Sequence, residues 1–99
     1  MDYKIALLPK AIDDFNASID WYASINLLLA QQFISEIENS FKLILNNPFL
    51  FQTSVGDFKV VNTERFPFKI GYRIQANDIV IIAIFHHKRN PKKITARIK

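Results

Sequence analysis

The residues able to do chemistry gather in the second half of this sequence: Lys69, Arg73, His86, His87, Lys88 and Arg89. Lysine and arginine can hold phosphate or carboxylate groups, and histidine moves protons near neutral pH. Cutting RNA without a metal needs a base for the 2′-hydroxyl, cations for the phosphorane and an acid for the leaving oxygen. Lys69, Arg73 and Arg89 could hold the charge, and His86 or His87 could move the proton. A clear second proton-transfer group is missing, because Glu64 belongs to a turn. His86 and His87 are neighbours on a strand and point to opposite faces, so no metal site is expected. The sequence has no serine elbow, no glycine-rich phosphate loop and no cysteine. No cofactor is expected.

A β-hairpin must position these groups. Ala76-Asn77 reads as its tight turn, with Asn suited to positive φ, between strands over Phe66–Ile74 and Ile79–His86. Pairing Gln75 with Asp78 sets Tyr72 opposite Ile81, Ile70 opposite Ala83 and Phe68 opposite Phe85. That face is apolar and should pack on helices. The other face then has Arg73 beside Val80, Gly71 beside Ile82, Lys69 beside Ile84 and Pro67 beside His86, with Lys88 continuing the parity. The expectation is an open face with Lys69, Arg73 and His86 over Val80, Ile82 and Ile84. It could hold a phosphate backbone with a stacked base, dock a peptide with acidic flanks, or simply be solvated. Lys59, Arg65, Lys88 and Arg89 join Lys69, Arg73 and the three aliphatic residues in the candidate binding set.

The preceding elements supply the cover. Tyr3 to Leu8 reads as a short strand with Tyr3, Ile5 and Leu7 on one side. Pro9 suits a first helical turn, and Ile12, Phe15, Ile19 and Tyr22 form one face of the helix that follows. Asp13 and Asp14 favour the positive end of its dipole. After a break at Ser24–Asn26, a second helix runs from about Leu27 to Asn46 and is stopped by Pro48. Its stripe is Ala30, Phe33, Ile34, Ile37, Phe41 and Ile44, with Glu36 and Glu38 off it. Residues 47–57 read as a connecting loop whose Phe49, Leu50 and Phe51 are expected to pack back on the core, the alternative being a partner-binding patch. A strand over Phe58–Asn62 and a turn at Thr63-Glu64-Arg65 lead into the hairpin. The expected fold is α+β: an N-terminal strand, an antiparallel two-helix hairpin, then a C-terminal antiparallel β-meander with the helices on one sheet face.

Length and composition agree with one domain over residues 1–99. Apolar residues are 49% of the chain, enough for a core. The absence of cysteine excludes a disulfide framework, and no signal peptide or membrane span is visible, so a cytoplasmic location is expected. Charge is uneven. Residues 1–57 carry three Lys/Arg against seven Asp/Glu, and residues 58–99 carry ten against two. Such an asymmetry suggests a polyanionic or acidic partner for the second half, or a solvated basic tail.

The order of motifs resembles the RelE/ParE superfamily of bacterial toxins. The carriers are Leu8-Pro9-Lys10-Ala11 before the first helix, Asn47-Pro48 after the second, and Arg65-Phe66-Pro67-Phe68-Lys69-Ile70-Gly71-Tyr72-Arg73-Ile74. To these is added the run from Ile79 to Phe85 with its exit His86-His87-Lys88-Arg89-Asn90-Pro91. The resemblance implies the toxin of a type II toxin–antitoxin module, a growth inhibitor in a hetero-oligomer with a cognate antitoxin. Some relatives cut mRNA on the ribosome, and those of ParE type poison DNA gyrase. Lys69 falls near an arginine of the mRNA cutters and His87 near their terminal histidine, but Lys88 stands where they have tyrosine. The exit looks more like the ParE side, so the reading leans to a gyrase poison. The alternatives are an mRNA endonuclease and a non-enzymatic RNA-binding or decayed toxin domain.

Overall fold

The computed structural model of the chain describes residues 2–51, 53–55 and 58–86. Strand β1 (Lys4–Leu7) leads into helices α1 (Pro9–Ile25) and α2 (Leu27–Asn46). Strands β2 (Thr53–Val55), β3 (Phe58–Asn62), β4 (Phe68–Gln75) and β5 (Asp78–His86) follow. All five form one sheet in the order β1-β5-β4-β3-β2. The meander β2 to β5 is antiparallel, and β1 lies parallel to β5 at the edge. This is the α+β arrangement that the sequence implies. Strand β2 was not foreseen: its three residues sit inside the segment expected to be loop, too few to show a period.

A single residue separates the helices. Asn26 has an extended backbone, φ −163° and ψ 127°. Its N–H closes α1 on the Tyr22 carbonyl, and its side-chain oxygen accepts from the Leu28 N–H at 2.7 Å to start α2. One asparagine therefore ends one helix and caps the next, which sharpens the expected break.

The buried side of α1 is Ala11, Ser18 and Tyr22, with Phe15 and Ile19 partly buried beside them. Ile12, expected on that stripe, is 43% exposed. Stepping back from Tyr22 by whole turns reaches 18, 15 and 11, so position 12 rotates off the seam. Asp14 is not spent on the helix dipole but reaches the sheet. On α2 the buried residues are Ala30, Phe33, Ile37 and Ile44, as the stripe implies. Rings dominate the junction with the sheet. Phe33 lies 4.8 Å from Phe68, 5.6 Å from Phe66 and 5.1 Å from Tyr22, centroid to centroid.

The segment after α2 divides. Phe51 packs edge-on against Tyr72, whereas Phe49 and Leu50 are 66% and 67% exposed, contrary to the expectation that all three pack inward. At the β4–β5 turn it is Ala76, not Asn77, that takes positive φ, at 55°.

Tyr72 ties this segment down. Its phenol donates to the Pro48 carbonyl at 2.7 Å, and burial raises its pKa from 10.0 to about 12. The neutral phenol is favoured by the fold, so its contribution is complete below pH 10 and is lost as pH rises through about 12. Tyr72→Phe is expected to cost about 1 kcal/mol near neutral pH, the worth of one buried hydrogen bond. Urea melts of both proteins check this: the gap narrows between pH 10 and 12.

Candidate functional site

Lys69 and Arg73 are four residues apart on β4, so they share a sheet face with Gly71 between them. What else stands on that face depends on register. From the turn the pairing is as expected: Gln75 with Asp78, Arg73 with Val80, Tyr72 with Ile81. Gly71 then pairs with Ala83 rather than Ile82. Ile82 is therefore an extra residue in β5, a β-bulge. Beyond it Ile70 pairs with Ile84, Lys69 with Phe85 and Phe68 with His86.

The bulge moves two residues off the expected face. Ile84 is 1% exposed in the core beneath the helices, with Ile70. His86 shares the helix side with Phe68, whose ring centroid is 5.4 Å away. It lines a cleft of about 330 Å³ with Ser18, Trp21, Tyr22 and Phe68. Ala83 and Phe85, expected under the helices, go the other way. With Ile82 and Phe58 they form a second apolar cluster, against which Val60 packs. Val80 and Ile82 do lie on the Lys69/Arg73 face, but they are buried rather than an open floor. The half-buried Arg73 has an Nε that is itself buried and, among the described residues, without a hydrogen-bond partner.

Two other cations of the candidate set lie elsewhere. Lys59 pairs with Tyr72, which puts it on the helix side, and its Nζ donates to the Phe51 carbonyl at 2.8 Å. Arg65 is exposed at the β3–β4 turn, beside α2. His87, Lys88 and Arg89 lie outside the described residues. Among the described residues no three His, Cys, Asp or Glu side chains gather as metal ligands would, and no helix is long and apolar enough to cross a membrane.

Two carboxylates prove to be structural anchors: Asp14, expected to serve the helix dipole, and Glu36, expected only to lie off the apolar stripe. Asp14 Oδ2 accepts from the Ile84 N–H at 3.1 Å, just past the bulge. Glu36 Oε2 accepts from the N–H groups of Arg65 and, at 2.9 Å, of Phe66. The first joins α1 to β5 and the second joins α2 to the β3–β4 turn, each across a long span of sequence. The available signal was an acid on the flank of an apolar stripe, which does not say what it meets.

Glu36 also lies in a groove between α2 and the β3–β4 turn. Its two parts, about 550 and 340 Å³, share Glu36, Asn39 and Glu64. The larger part continues past Gln31 and Gln32 to Leu28, and the smaller ends on Leu43, Phe51 and Val61.

A family model described as the ParE toxin of the type II toxin-antitoxin system, parDE, matches residues 5–91. Among solved structures the chain is similar to one from the chromosomal ParDE toxin–antitoxin system of P. aeruginosa. The TM-score is 0.74 at 23% identity, over 85% of this chain and 95% of that one. Likeness at that identity speaks for the fold. No curated protein matches the chain.

Proposed function

The chain belongs to the ParE toxin family of type II toxin–antitoxin systems, and we propose that it arrests growth by poisoning DNA gyrase and is neutralised by a cognate antitoxin. It acts in the cytoplasm as one toxin domain, in a hetero-oligomer with that antitoxin. The surplus of Lys and Arg in the second half suits a partner with acidic groups. Lys69 and Arg73 are the cations proposed to meet them, with Arg65 at a separate edge.

The observation that supports gyrase poisoning over mRNA cleavage is the match of residues 5–91 to the ParE toxin family; the bulge at Ile82 agrees with it only as far as His86 is concerned. A metal-free ribonuclease needs its proton-transfer groups and phosphate-holding cations around one phosphodiester. The bulge puts His86 beneath α1 and leaves Lys69 and Arg73 on the opposite face, so these three do not surround one phosphate.

Inducing the chain without its antitoxin tests this reading. The expected result is growth arrest with a DNA-damage response, and an abundant message that stays intact by primer extension. Cleavage of that message, lost in Lys69→Ala or in the His86→Ala/His87→Ala pair, would establish an mRNA endonuclease instead.

A further inference from the structure

We propose that the groove between α2 and the β3–β4 turn docks a basic polypeptide segment of a partner protein. A lysine or arginine of that segment sits over Glu36 and Glu64, and an apolar side chain sits over Leu43, Phe51 and Val61.

The charge of the groove selects the occupant. Its two parts meet at two carboxylates; among the described lining residues the cation is Arg65, at the Leu28 end, and the Lys59 ammonium near the other end is held by the Phe51 carbonyl. The meeting point is opposite in sign to the Lys69/Arg73 face, so one segment cannot satisfy both. An acidic segment suits the sheet face, and a basic one suits the groove.

The Glu36 carboxylate and the backbone of the turn carrying Glu64 are held in place before anything binds. Glu36 is fixed through Oε2 by the Arg65 and Phe66 N–H groups. The turn carrying Glu64 is locked in turn: the Thr63 N–H donates to the Phe68 carbonyl at 2.9 Å, and the Thr63 hydroxyl donates to the Phe66 carbonyl. Little ordering is left to oppose binding. Asn39 and Asn62 offer amide donors and acceptors for main-chain groups of the segment. At the far end Leu43 is 45% exposed, beside Phe51 and Val61. A salt-sensitive charge contact and an apolar anchor are therefore set at neighbouring points of one groove.

The test titrates the full chain with a synthetic peptide carrying paired lysines and a leucine one helical turn further on. Its control has glutamates in place of the lysines. The basic peptide is expected to bind, more weakly as salt rises, and the control is not. Glu64→Lys should weaken binding by about tenfold or more, since it sets like charges together at the contact. Leu43→Ala should weaken it several-fold with unchanged salt dependence. Melting curves establish that each variant is folded, and Asp20→Lys, outside the groove, should bind as the unaltered chain does. The inference is overturned if the basic peptide fails to bind at millimolar concentration, if the control binds equally, or if folded Glu64→Lys binds undiminished. Binding is read directly, so the result stands apart from whether the chain arrests growth or which target it poisons.

Discussion

Phe33→Ala is expected to remove about 3–5 kcal/mol of stability, the usual cost of truncating a buried ring and leaving a cavity. Phe33 is fully buried, and its ring meets those of Phe15, Tyr22, Phe66 and Phe68. It joins both helices to β4 and to the residues leading into it. The surroundings cannot collapse into the gap easily, because four of the walls are themselves rigid rings held by different elements. Small domains have about 5–15 kcal/mol in all, so the variant approaches the unfolding threshold. Urea denaturation should show a lower midpoint with an unchanged slope. Phe33→Leu, which keeps most of the volume, should lose clearly less. In cells Phe33→Ala should relieve growth arrest through loss of folded protein, with Lys69 and Arg73 intact.

Asp14→Ala is expected to cost about 1–3 kcal/mol, the penalty for leaving a buried donor without a partner. Strand β1 stops pairing with β5 at Leu7 and Ile81, and the Leu8 N–H then takes the Ile81 carbonyl. Further along β5, Asp14 from α1 accepts from the Ile84 N–H. A bulge leaves a ladder locally disrupted, so a side chain that satisfies its neighbour also favours the bulged register over the regular one. Asp14→Asn keeps an acceptor oxygen and should lose less than half as much. Hydrogen exchange at Ile84 separates the two variants: protection falls strongly in the alanine protein and only slightly in the asparagine one.

The bulge also marks where the sequence stops being legible. Helix and strand positions could be read because α2 has a clear stripe, Pro9 and Pro48 bracket the helices, and Ala76-Asn77 makes a tight turn. The first half of the hairpin register followed from that turn. Its second half did not, because Ile79-Val80-Ile81-Ile82-Ala83-Ile84-Phe85 is apolar at every position and carries no alternation to reveal a slip of one residue. Both faces of this strand are buried, so either parity satisfies the hydrophobic pattern. The placing of His86 and Ile84 depended on that parity, and both changed face. Lys69, Arg73, Val80 and Ile82 kept the face expected of them, since they lie on β4 or before the register changes. Asp14 and Glu36 were illegible for another reason: their partners are backbone N–H groups brought close only by the tertiary fold.

As proposed, this member of the ParE toxin family acts on DNA gyrase rather than on mRNA. The most direct measurement incubates the purified chain with gyrase, supercoiled plasmid and ATP, then denatures the mixture and resolves the DNA. Linear, gyrase-linked plasmid is expected to accumulate with added chain and to disappear when the antitoxin is supplied. Plasmid processed normally by gyrase at every concentration of a chain that still arrests growth in cells would contradict it.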